Sequence, residues 1–291
     1  MASGFSSSWI IFIIFFFSFL VFLCAADQDH ITSTSRKLLQ HHHHNNDHED
    51  NNMDPSQKIF FTIDNLKKGK SMEIYLSPKI PSSSLKLKST TRLLSREEAD
   101  SIPFTSSKLS SILRLFSISK DSPQAQAMND TLKLCELEPI HGETKLCATS
   151  FESMLDFTRG ILGLDTKLRV LTTSFVENPS TKPYLRNYTV VEDPREILAP
   201  KMVACHSMPY PYAVFYCHSQ EGENRVFEIS LEGGGGGERV EAVGVCHADT
   251  SHWDRDHVSF RVLNIEPGTL PVCHVFPPDN FVWVPAYFEI N

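Results

Sequence analysis

Cys205-His206, Cys217-His218, Cys246-His247 and Cys273-His274 stand in one stretch that closes at Trp283. Ten residues separate the first dipeptide from the second, 27 the second from the third, 25 the third from the fourth, and eight lead to the tryptophan. Histidine is 13 of 291 residues. By that composition, four cysteines each followed by histidine is an accident on the order of a few in a million, so the repetition has a structural cause. The segments that carry it, such as Tyr212-Ala-Val-Phe-Tyr-Cys-His218 and Val240-Glu-Ala-Val-Gly-Val-Cys-His247, are rich in β-branched and aromatic residues and read as strands. Successive strand residues point to opposite faces. Each dipeptide therefore sends its sulfur one way and its imidazole the other. With the four strands side by side, the imidazoles gather on one face and the sulfurs on the reverse.

The rest of the chain supports a sizeable core. Its composition is 41% apolar, and a net charge of −8 argues against a nucleic-acid partner. Residues 1–26 differ in character from the remainder: Trp9 to Leu23 is almost wholly apolar and leads to the small residues Cys24-Ala25-Ala26. This reads as a cleaved signal peptide rather than an anchor, so no stable membrane span is expected after its removal. Residues 27–58 are polar and rich in His, Asn and Asp, including His41-His-His-His44. They read as a disordered linker, with weak metal binding by the histidine tract as the alternative.

A single domain is expected over 59–291. Phe60 to Leu76 reads as a strand, a turn at Lys67-Lys68-Gly69-Lys70 and a second strand. Ser95 with Glu98 has capping-box spacing. Leu109 to Phe116 has helical spacing, and Ser122-Pro123 opens a helix to about Leu137. Thr149 with Glu152 repeats the capping-box spacing and opens a helix that ends near Gly160 or Gly163. From Leu168 the pattern turns to β, with strands at Arg169 to Phe175, Tyr188 to Val191 and Lys201 to His206. A hairpin, Asn224 to Glu232 and Glu238 to His247, flanks Gly233-Gly-Gly-Gly-Gly237. The fold class is α+β: a β-rich domain with several short helices in its N-terminal half, stapled by disulfides. Asn129-Asp-Thr131 and Asn187-Tyr-Thr189 are glycosylation acceptors by pattern.

The Cys-His spacing with its tryptophan resembles the signature of the plant BURP domain. Leu94-Ser-Arg-Glu-Glu-Ala-Asp-Ser-Ile-Pro-Phe104, Cys147-Ala-Thr-Ser-Phe-Glu-Ser-Met-Leu-Asp-Phe157 and Tyr210-Pro-Tyr-Ala-Val-Phe-Tyr-Cys-His218 are similar to further motifs of that family. The resemblance implies a protein of the apoplast, cell wall, vacuole or storage compartment. Some family members are seed or stress-response proteins, and one kind is a noncatalytic partner of a pectin-degrading enzyme. Others are copper-dependent peptide cyclases that cross-link a Tyr or Trp side chain, often of a peptide in their own N-terminal region. Asp27 to Lys58 holds neither Tyr nor Trp, which disfavours self-cyclisation there and leaves action on separate peptides as the enzymatic alternative. The preferred reading is a noncatalytic secreted protein whose partner is a cell-wall component, protein or peptide.

A secretory route makes the cysteines disulfides. Without Cys24 six remain: Cys135, Cys147, Cys205, Cys217, Cys246 and Cys273. Cys135 and Cys147 are close in sequence and outside the histidine pattern, so they are paired, stapling two helices and stabilising by about 3 kcal/mol in the chain-entropy model. The other four pair among themselves in one of three ways, with zinc thiolates as the lesser alternative. His206, His218, His247 and His274 then form an all-nitrogen site, and a tetragonal arrangement favours Cu(II). Asp249, His252 and His257 read as loop residues around Trp253, with ligand support as the alternative. Trp283 is read as packing beside the site. No Ser/His/Asp or paired-carboxylate set can be assigned from spacing.

Overall fold

Alternation of apolar residues in the C-terminal half builds two antiparallel sheets, seen in a computed structural model that describes residues 55–76, 92–177, 184–234 and 237–286. The expected signal peptide, the histidine tract and the 77–91 connection lie outside the described residues. The strands are β1 (Phe60–Thr62), β2 (Ser71–Leu76), β3 (Glu143–Ala148), β4 (Leu168–Leu171), β5 (Ser174–Glu177), β6 (Tyr184–Val190) and β7 (Arg195–Ile197). They continue with β8 (Val203–Met208), β9 (Val214–Gln220), β10 (Asn224–Gly233), β11 (Arg239–His247), β12 (Val272–Phe276) and β13 (Phe281–Pro285). The larger sheet runs β1-β12-β11-β10-β6-β2, with β5 beside β11 and β7 beside β10; the smaller runs β3-β9-β8-β13-β4.

One face of the larger sheet closes on itself. Phe61, Ile74, Tyr188, Ile229, Leu231, Ala242 and Val275, drawn from all six strands of its main path, form one buried cluster. The Tyr75 N–H donates to Lys58 O at 2.8 Å across the gap between the sheet's two edges. Its other face meets the smaller sheet: Val226, Val243, Val245 and Phe276 pack in one cluster with Ala204, Val282 and Val284.

The helices are α1 (Arg96–Asp100), α2 (Leu109–Leu115), α3 (Pro123–Glu136), α4 (Phe151–Leu162) and α5 (Val258–Leu263). Four lie in the N-terminal half as expected; α5, between β11 and β12, is an addition. Ser95 and Glu98 form the expected capping box, and Ser122 caps α3 ahead of Pro123. For α4 the expected cap is off by one. Ser150, paired with Ser153, makes the box in place of Thr149 and Glu152, and the helix ends at Gly163 with φ 110°. Helix α4 covers the outer face of the smaller sheet, where Met154 packs with Val203, Phe215 and Trp283. Helices α2 and α3 enclose Tyr210, Tyr212 and Val214.

Two further expectations are corrected. Cys147 lies on β3, so its disulfide with Cys135 ties helix α3 to a strand rather than to a second helix. The expected strand Arg169 to Phe175 is two strands: β4 pairs with β13 in one sheet and β5 with β11 in the other. Thr172 and Thr173 make the crossing, the first hydroxyl donating to Pro278 O and Asn280 O, the second accepting from the Val243 N–H. Where the chain changes sheet, neighbouring backbone groups lose ladder partners, and these hydroxyls satisfy some of them.

Candidate functional site

The Cys-His dipeptides form two modules, one in each sheet. In the smaller sheet Cys205 stands directly opposite Cys217; in the larger, Cys246 stands opposite Cys273. Both pairs are disulfides, with Cα atoms 4.0 and 3.9 Å apart. The sulfurs do not gather into one constellation on a shared face. One disulfide packs in the cluster under α4 with Trp283, the other in the closed core of the larger sheet with Phe61 and Ile74. The reason is that the dipeptides are divided between facing sheets, so turning all four imidazoles inward turns the sulfurs to two opposite outer layers.

The residue after each cysteine is set diagonally across its ladder from the other histidine, on the inner face, within reach of an aromatic ring. His206 and His218 have ring centroids 5.4 Å apart, and His247 and His274 lie nearly parallel at 5.6 Å. The sheets join them: His206 lies 6.0 Å from His274. Ring contacts thus link the four in the order His218–His206–His274–His247, and His218 also lies within electrostatic reach of His247. Phe276 stacks on both central rings, Tyr216 lies beside His218, and Trp253 meets His247 edge-on. His247 and His274 are buried, and His206 and His218 are partly exposed.

Burial, reinforced by the neighbouring rings, holds His206 and His247 down at about 3, and drives His274 well below the ordinary imidazole value. These rings are uncharged at neutral pH, the state in which imidazole binds a metal. Two residues that the Cys-His pattern does not reveal support the ends of the row. Glu143 on β3 accepts at Oε1 from the Tyr216 hydroxyl at 2.8 Å and lies 3.1 Å from His218 Nδ1. Burial works to raise its pKa, but hydrogen bonds from His218, Tyr216 and the Ile140 N–H prevail and set it at about 2. Asn224, directly opposite His247 on β10, places Oδ1 2.7 Å from the His247 Nδ1. Glu143 falls in a stretch whose sequence reads as a helix-to-helix connection, and only its strand pairing with β9 brings it to His218.

The donor set fits a transition metal in type and in one spacing. Two nitrogens bound at about 2.0 Å to a tetrahedral ion stand about 3.3 Å apart, and His206 Nε2 and His218 Nε2 are separated by 3.3 Å. Beyond that pair the fit is incomplete: among the described residues no group of three or more His, Cys, Asp or Glu side chains is already arranged to hold a metal ion, so a shared four-histidine site requires the rings to draw in around the ion. His257 is excluded from the donors on its Nδ1 side, because that nitrogen caps α5 and contacts the Ser259 hydroxyl at 2.7 Å. Its ring instead lies tilted against Trp253 and edge-on to Phe60. His252 is exposed and faces His141, with centroids 4.8 Å apart, and Asp249 accepts from the Ser251 N–H. Trp283 lies behind the smaller sheet's disulfide, buried, opposite Val203 and Val170. Of the glycosylation candidates, Asn187 is exposed on β6 and Asn129 is half-buried in α3.

A β-rich domain with inward imidazoles and outward cystines, built from four Cys-His strands, defines the class. Residues 59–285 match the model of the BURP domain, and the chain belongs to that family. It is 47% identical to the BURP domain protein USPL1 of Arabidopsis thaliana over 79% of this chain and 81% of that protein. It is 46% identical to BURP domain-containing protein BNM2A of Brassica napus, over 79% of this chain and 80% of that one. With the BURP domain protein RD22 of Arabidopsis thaliana it shares 37% identity over 79% of this chain and 56% of that one. Three disulfides are compatible with an extracellular or luminal location. Among the described residues no helix is long and apolar enough to cross a membrane.

Proposed function

We propose that the chain is a noncatalytic secreted protein of the plant apoplast, cell wall or storage compartment, acting in development or stress. Its histidine row binds a transition metal, copper fitting the all-nitrogen set, and its partner is a cell-wall component, protein or peptide. One observation carries the metal reading: four imidazoles, three of them neutral by burial, lie in one row with two Nε2 atoms 3.3 Å apart. His206, His218, His247 and His274 would hold the ion, and bound copper would supply redox chemistry. The noncatalytic reading is supported by the burial of His247 and His274 behind aromatic rings, which leaves only the His206 and His218 side partly open.

Cu(II) added to chelator-treated protein should bind near one equivalent with a d–d absorption band. Alanine at each of the four histidines should abolish it, and retained affinity in three of the four variants would end the shared-site reading. Copper-loaded protein incubated in air with Tyr- or Trp-containing peptides should leave their masses unchanged. A loss of two hydrogens would replace the noncatalytic reading with a cyclase acting on separate peptides.

A further inference from the structure

We propose that Glu143 and Asn224 are the positioning residues of the histidine row, fixing the ring hydrogen of His218 and of His247 on Nδ1 so that each Nε2 keeps its lone pair for a metal ion. The use of those lone pairs rests on the metal-binding reading above; the placement of the hydrogens rests on hydrogen-bond chemistry alone.

At the His247 end the argument is one of elimination. The Asn224 Nδ2 lies 2.9 Å from Gln220 O and 3.3 Å from Gly222 O. Backbone carbonyls only accept, so the NH2 end of the amide faces them and Oδ1 faces the histidine. A carbonyl oxygen cannot donate. The 2.7 Å contact between Oδ1 and His247 Nδ1 therefore carries its hydrogen on the ring. A neutral imidazole has one N–H, so Nε2 of His247 holds a lone pair.

At the His218 end a carboxylate does the same. Glu143 Oε1 accepts from Tyr216, and Oε2 accepts from the Ile140 N–H at 3.2 Å. These two donors, one from the neighbouring strand and one from its own loop, leave the carboxylate facing His218 Nδ1 as an acceptor. The ring hydrogen is again on Nδ1. The Nε2 lone pair of His218 then faces His206 Nε2 at 3.3 Å. Two lone pairs repel at that distance, so in the metal-free protein His206 carries its hydrogen on Nε2 and donates it to His218. For an ion to seat between the two nitrogens, His206 passes its ring hydrogen from Nε2 to Nδ1 by way of solvent and stays neutral, freeing its Nε2 lone pair. Both supports lie outside the Cys-His pattern: Glu143 is on the edge strand β3 and Asn224 is the first residue of β10.

Long-range 1H–15N correlation spectra of metal-free protein labelled at histidine decide the assignment without any substitution. His218 and His247 should show the Nδ1–H pattern and His206 the Nε2–H pattern; an Nε2–H pattern at either of the first two overturns the proposal. In copper titrations Glu143→Ala and Asn224→Ala should weaken binding tenfold to a hundredfold. Glu143→Gln and Asn224→Asp keep an acceptor, and should keep both the Nδ1–H pattern and an affinity within a few-fold of the unaltered protein. Alanine variants that lose thermal stability while retaining the Nδ1–H pattern and the affinity would show a merely structural role and overturn the proposal. Should the unaltered protein bind no copper, the metal reading fails, and the spectra alone uphold or overturn the hydrogen placement.

Discussion

Mild acid should destabilise the metal-free protein by several kilocalories per mole, in a window where few carboxylates titrate. His247 is 4% exposed, and burial, with the neighbouring His218 and His257, holds it at about 3 against an ordinary 6.5. Folding therefore keeps this ring neutral while the unfolded chain takes up a proton. The stabilisation is complete above the unfolded value, falls as pH drops below 6.5, and stops falling only near 3. One depressed pKa unit corresponds to about 1.4 kcal/mol, so His247 alone should lose the fold about 2 kcal/mol between pH 7 and pH 5. His206 is depressed to a similar value but is partly open to water. With that share discounted for screening, the two rings together give about 3 kcal/mol. His274 pulls the same way. Glu143 has the opposite sign: its pKa is lowered from 4.5 to about 2, so its contribution is intact above 4.5 and leaves the pH 7 to 5 interval unaffected. A typical domain has about 5–15 kcal/mol in all, so the effect is a substantial fraction of the total. Urea titrations at pH 7, 6 and 5 with a chelator present measure it, with fluorescence of Trp253, packed on His247 and His257, as a local probe. A double variant His206→Gln and His247→Gln should flatten the slope. A change of less than about 1 kcal/mol in the unaltered protein would mean that the rings reach water in solution, and the burial argument would fall.

Two further outcomes test the packing. Gly244→Val should destabilise by about 1–3 kcal/mol in chemical denaturation, because a Cβ there would stand 2.8 Å from Ile229 Cδ1 and 3.3 Å from Phe61 Cζ; adding Ile229→Val, which removes that Cδ1, should recover part of the loss, and a neutral Gly244→Val would refute the contact. Ser150→Ala should cost about 1 kcal/mol, since its hydroxyl accepts from the Ser153 N–H, whereas Thr149→Ala should be nearly neutral; the reverse order would restore the cap to Thr149.

Local rules read this sequence well where one short segment decides the outcome. Ser122-Pro123 opens α3 and Ser95 caps α1 as their spacing requires. Thr149 misled because two candidate caps stand together in Ala148-Thr-Ser150, and only the turn entering α4 selects Ser150. The stretch Glu143-Thr-Lys-Leu-Cys-Ala148 carries little β pattern of its own. It becomes a strand because β9 offers an unpaired edge over six residues. Likewise, periodicity showed β character from Arg169 to Phe175, but the change of sheet at Thr172–Thr173 depends on hydroxyl partners 70 to 108 residues away.

The same division governs the site. Alternation gave the sidedness of each Cys-His dipeptide, because it is a property of the strand alone. It left open which dipeptides share a sheet, and that is set by the hairpin-like pairing of β8 with β9 and of β11 with β12. Once those registers place each cysteine opposite its partner, the cystine cross-link resists a one-residue slip, which would turn both imidazoles to the wrong face. Each disulfide therefore acts as a register pin for a diagonal pair of histidines, and the row arises where two pinned pairs face each other. Glu143 and Asn224 are invisible at that level. Neither belongs to a dipeptide, and each reaches its ring only through the ladder formed by a neighbouring strand. The sulfur–nitrogen alternation that is plain in the sequence thus specifies the donors, while the residues that hold them are specified by the pairing of strands.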